Sequence, residues 1–178
     1  MFAFLLITYS CSKDEPVMQE NDNVITNENL KCKPITLPML VWFSSVPDYS
    51  IPPVECLPVE FGNVVIGGGG WIRGIATYIG KVNVNNSPWT ATGCNFGPNP
   101  GQVTENIQGK ITGANGHYFL YSGYSTVTFA DGSLTGEMTI NGGTGRFAGA
   151  NGTVTMNGTV NLETGAATWT GRGTITFH

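Results

Sequence analysis

Charge is scarce in this sequence. Its 178 residues include only 8 Lys and Arg and 12 Asp and Glu, for a formal net charge of −4. Lys and Arg nowhere cluster, so no surface is equipped to neutralise a run of phosphates, which argues against nucleic acid as a partner and against a polybasic membrane patch. The acidic excess is local: Asp14, Glu15, Glu20, Asp22 and Glu28 all precede Lys31. Histidine is almost missing, with only His117 and His178. A nucleophile–His–acid triad would rest on His117, which adjoins an Asn-Gly turn and has no nucleophile elbow. There is no CxxC and no His beside a Cys, so a zinc site has no ligand set, and no cofactor motif is found. Helical periodicity is absent, and no apolar run reaches the roughly 20 residues that span a bilayer.

What the chain does have is glycine, 25 residues of it, set among Val, Ile, Thr, Phe and Tyr. These are turn and strand formers, and they indicate an all-β domain. From Ser133 the pattern alternates: Leu134, Gly136, Met138 and Ile140 against Thr135, Glu137, Thr139 and Asn141. The next run sets Val154, Met156, Val160 and Leu162 against Thr153, Thr155, Asn157 and Thr159, and the last sets Ala167, Trp169, Ile175 and Phe177 against Thr168, Thr170, Arg172, Thr174 and Thr176. A period of two gives each strand one apolar and one threonine-rich face. Asn115-Gly116, Asp131-Gly132, Asn141-Gly142, Asn151-Gly152 and Thr164-Gly165 punctuate the runs with the positive φ that tight hairpins require.

Upstream, strands are expected at Ile35–Ser45, in FGNVVI (61–66), in GWIRGIATYIGKVNV (70–84), at Trp89–Phe96, at Gln102–Gly113 and at His117–Phe129. Proline-rich Pro47–Pro58 reads as a loop that cannot be a central strand. The total is roughly eight to ten strands, enough for a single antiparallel barrel whose closure removes exposed edges. Glycines 136, 158, 171 and 173 inside strands fit its sharp bends. The stretch Ile140–Val160, INGGTGRFAGANGTVTMNGTV, is then a strand junction. It has neither the spacing, the Lys-Ser/Thr nor the following helix of a phosphate loop, and Gly67–Gly70 lack them too.

The beginning of the chain carries a different signal. Met1–Ser10 resembles the apolar core of a secretory signal without its basic start, so the true start is expected upstream of Met1. Ile7-Thr8-Tyr9-Ser10-Cys11 resembles a bacterial lipobox, and Ser12-Lys13-Asp14-Glu15 resembles the Lys/acidic export signal of Bacteroidetes-type lipoproteins. The division expected is a signal remnant over 1–11 ending at an acylated Cys11, a polar tether over 12–31, and a β-barrel domain over 32–178. In an exported protein one disulfide is expected among Cys32, Cys56 and Cys94, with the pairing open.

Residues 142–177, GGTGRFAGANGTVTMNGTVNLETGAATWTGRGTITF, resemble the C-terminal signature of bacterial secreted proteins related to the allene oxide cyclase and dirigent barrels. Ala76-Thr77-Tyr78-Ile79-Gly80-Lys81 resembles that group's Thr-His-Leu-Gly-Lys element, and Ala114-Asn115-Gly116-His117 its Ala-Asn-Gly-Asp turn. The resemblance implies an eight-stranded antiparallel β-barrel of calycin-like shape, trimeric in many plant relatives. It brings no catalytic site, since the matched elements are turns, and Tyr78 and His117 stand where the group has His and Asp.

Few charges remain as candidates for chemistry. Glu137, Arg73, Arg146 and Arg172 lie in or beside strands and either face solvent or line a polar lumen, where a Glu–Arg pair would suit acid/base work or ligand orientation. Three functions stay open: an outer-membrane, surface-displayed lipoprotein whose barrel binds a small apolar ligand or a partner without chemistry; a cyclase- or isomerase-like enzyme acting on a hydrophobic substrate in the lumen; and a structural or adhesive module. The missing acid/base constellation favours the first, with a secreted or periplasmic protein as its variant. A lumen above about 300 Å³ holding Glu137 or an arginine would favour ligand binding or catalysis, and a filled one the structural module.

Overall fold

The computed structural model describes residues 33–57, 64–97 and 99–178. They fold into one 11-stranded sheet without α-helix. The strands are β1 (Ile35–Pro47), β2 (Val54–Leu57), β3 (Val65–Ile66), β4 (Gly69–Ala76), β5 (Gly80–Lys81), β6 (Pro88–Phe96), β7 (Gln102–Thr112), β8 (Tyr118–Thr128), β9 (Ser133–Gly143), β10 (Asn151–Val160) and β11 (Ala167–Phe177). Eight of them close on themselves in the order β6-β7-β8-β9-β10-β11-β1-β4, and β4 returns to β6. Every neighbour in this ring is antiparallel. Its narrowest seam is the return from β4 to β6, paired only at Gly69↔Thr90, Gly70↔Trp89 and Trp71↔Pro88.

The alternation decides which residues fill the interior. Met39, Val41 and Phe43 of β1, Leu134, Met138 and Ile140 of β9, Val154 and Met156 of β10, and Trp169, Ile175 and Phe177 of β11 are buried. Their neighbours in sequence form an outer face of threonines, some of which pair across strands, as Thr36 with Thr176 and Thr104 with Thr126, each at 2.8 Å. Removing the apolar rows from water is the main force holding the ring closed. Pro38 fits inside β1 because β4 pairs only from Val41 onward, leaving one side of the strand without a ladder at that point.

The two ends of the ring differ. At the first, Phe147 folds inward from the 3-10 turn Gly145–Phe147 and packs on Phe119 and Phe177, with ring centroids at 5.7 and 5.9 Å, while Tyr78 meets Phe177 edge-on at 5.5 Å. This aromatic plug closes that end. It is what the glycine-rich stretch builds: Gly142, Gly145 and Gly149 take positive φ and turn the chain twice, so that Phe147 points into the ring. At the other end, exposed Tyr49, Val65, Phe129 and Leu162 surround an opening.

Several sequence expectations need correction. The Pro47–Pro58 segment is not all loop: Val54–Leu57 forms β2, a spur outside the ring that runs parallel to the far half of β6 and carries β3 on its outer edge. A position outside the ring is one that a proline-flanked strand tolerates. The run from 70 to 84 is not continuous, because Tyr78, at φ 67°, turns the chain between β4 and β5. Asn151-Gly152 is not a turn; Gly152 lies within β10, where a side chain would strike the Thr174 carbonyl, and the turning glycine is Gly149. β10 ends at Val160, so Leu162 leaves the apolar face and joins the rim.

The cysteine pairing left open by the sequence is Cys56–Cys94, which ties β2 to β6. Cys11, Cys32, the tether and Phe61–Asn63 lie outside the described residues.

Candidate ligand site inside the ring

A cavity of about 260 Å³ opens from the unplugged end into the interior. Val103, Ile107, Val127, Leu134, Met156 and Trp169 make most of its wall. Its size is set partly by inward glycines. A side chain at Gly136 would meet Met156 and the Tyr124 carbonyl, and one at Gly171 would meet Val154 and Val41, so the strands pack closely at both positions.

Among these apolar side chains stands one carboxyl, Glu105. The alternation of β7 places it inward with Val103, Ile107 and Ile111, opposite Cys94 of β6 and Ser125 of β8. The Ser125 hydroxyl donates to Glu105 Oε1 at 2.6 Å. Protein surrounds Glu105 on nearly all sides, and the surface it keeps faces the cavity. Burial pushes its carboxyl above the ordinary range, against the smaller opposing effect of the Ser125 bond. The charged form is thereby disfavoured relative to a carboxyl in water.

Deeper in the cavity wall, Trp89 and Tyr121 flank Gly109 on adjacent strands. With no side chain at Gly109, the Tyr121 ring lies across that position, and the Trp89 indole lies across Gly70 in the same way. Both polar tips are buried, and neither the Trp89 N–H nor the Tyr121 hydroxyl has a hydrogen-bond partner. Burial, and secondarily the field of Glu105, raises the Tyr121 hydroxyl far above its usual value, so it stays protonated. An unpaired buried polar group costs about 1–3 kcal/mol, and neither of these two atoms keeps accessible surface through which to recover it.

None of the four charged candidates shares this space. Glu137 points outward from β9, opposite Tyr124 and Thr155, because Met138 and Leu134 take the inward positions. Arg73 is exposed on β4 and its Nε donates to Ser44 Oγ at 3.0 Å. Arg146 is exposed in the turn that carries the plug, and Arg172 is exposed on β11 opposite Leu40. His117 is exposed at the plugged end, against Gly145. Among the described residues no group of three His, Cys, Asp or Glu is placed to hold a metal. Neither Glu105 nor Ser125 was among the expected site residues. The signal for Glu105 was present, since it shares the parity of Val103, Ile107 and Ile111.

In comparisons with known proteins, no family model matches the chain and no curated protein is significantly similar to it. Architecture therefore sets the class: a closed ring of antiparallel strands, plugged at one end, around a mainly apolar cavity holding one buried carboxyl.

Proposed function

We propose that the chain is a cell-envelope lipoprotein, anchored through Cys11 at the outer membrane, whose domain is a β-barrel of the allene oxide cyclase and dirigent kind that binds a small, mainly apolar ligand in its lumen. The observation that carries the binding reading is the mainly apolar cavity of about 260 Å³, in whose wall Glu105 is buried and accepts a hydrogen bond from Ser125. The volume falls just short of drug-sized sites, which start near 300 Å³, so the ligand is small. Family and anchor rest on the residue patterns of 142–177 and of 7–15. In the test, the purified full chain is denatured and extracted for mass spectrometry, beside Val160→Trp, which fills the cavity near its mouth. A small molecule recovered from the parent and lost from Val160→Trp supports the reading; equal recovery from both places the molecule elsewhere.

The buried acid favours a second reading, a cyclase- or isomerase-like enzyme in which Glu105 supplies a proton to a bound substrate. With the extracted molecule in hand, Glu105→Gln separates the two: turnover lost with affinity kept supports the enzyme, and no turnover in the parent protein supports the binder.

A further inference from the structure

We infer that the cavity selects an uncharged, mainly apolar molecule of roughly ten non-hydrogen atoms that carries a carbonyl- or ether-class oxygen, and that it rejects a carboxylate of the same size. This rests on the reading of the interior as a ligand site. Size follows from volume: a dry cavity of about 150 Å³ holds one benzene ring, and about 260 Å³ scales to roughly ten such atoms.

Charge follows from the wall. Glu105 and, at the rim, Glu163 are its only ionisable acids, and no Lys, Arg or His lines it among the described residues. A carboxylate would enter an enclosed apolar space beside another acid, with no cation to meet it. An ammonium ion could pair with an ionised Glu105, but both charges would have to leave water for a mainly apolar space. The Trp89 N–H and the Tyr121 hydroxyl do not compete for a ligand, since neither atom keeps accessible surface. Ser125 already spends its hydroxyl proton on Glu105 Oε1. What the wall can offer a ligand is therefore the carboxyl of Glu105, whose burial among apolar side chains disfavours its charged form, and a neutral acceptor oxygen is the complement of that acid when it holds its proton.

Four probes of ten non-hydrogen atoms each separate the alternatives: 2-nonanone, octanoate, nonylamine and decane, titrated calorimetrically into the full chain at neutral pH. The expected order puts 2-nonanone at least tenfold tighter than octanoate or nonylamine, and tighter than decane. Glu105→Leu should bring the ketone-to-decane ratio toward one. Glu105→Gln, whose amide still donates, should keep ketone binding, with octanoate still excluded because no cation lines the cavity. Octanoate or nonylamine binding as well as the ketone would overturn the inference, as would an unchanged ketone preference in Glu105→Leu, while leaving the ligand site standing. If none of the four binds, decane included, the ligand-binding reading falls and this one with it.

Discussion

Glu105 shows how much one position can change the reading of a strand. In β7 the outward residues Thr104, Asn106, Gln108 and Lys110 are all polar, and the inward ones would be wholly apolar or glycine but for this carboxyl. Its parity is legible in the sequence. What is not legible is that Ser125 lies directly across from it, or that the enclosure is dry enough to raise its titration, because both depend on a partner strand 20 residues away. Glu137, by contrast, drew attention because it was a charge in a clear alternation, and that alternation is what turned it outward. A raised acid keeps its proton where the unfolded chain has released it. Its favourable contribution is full below the ordinary carboxylate value of 4.5 and is lost as pH rises through the native value. The denaturant midpoint should therefore fall as pH is raised from 4 through the Glu105 titration, and Glu105→Gln should lack that part of the slope. Equal slopes in the two proteins would show that Glu105 ionises freely.

At the scale of elements, hairpins were the most legible feature, because positive φ demands glycine: Gly116, Gly132, Gly142 and Gly165 all adopt it where an Asn-, Asp- or Thr-Gly pair announced a turn. The β2 spur was not. Four residues between prolines show no period, and what holds them is a partner elsewhere in the chain, the Cys56–Cys94 bond and the parallel pairing beside it. The bond closes a loop of 38 residues. By loop entropy alone, its removal should cost about 4 kcal/mol, with the ring itself retained, since β2 is not a member of it. Denaturation of Cys56→Ala/Cys94→Ala checks the magnitude, and circular dichroism checks that the sheet persists. A loss below about 1 kcal/mol would mean that β2 stays docked without its covalent tie.

For the whole molecule, the long antiparallel strands could be read from turn spacing and alternation, whereas the total of eleven and the cavity could not. Its volume is a residue of packing, the difference between what Val154, Met156 and Trp169 fill and what closure around Gly136 and Gly171 encloses. Lipid attachment belongs to this scale as well. Cys11→Ser should abolish fatty-acid labelling and release the protein from membranes, and persistent labelling would refute the anchor. The plug, too, would bear on the proposed anchor. β1 begins beside the end of β11, at Ile35↔Phe177, on the side closed by Phe147, so a tether on Ile35 leaves the open mouth at the far side. The same pairing governs the order of assembly. Until β11 has left the ribosome, β1 has only β4 beside it and β10 only β9. A nascent chain therefore carries the bare edge of β1 through nearly the whole of its synthesis, joined by that of β10 just before β11 follows, and such edges expose it to aggregation.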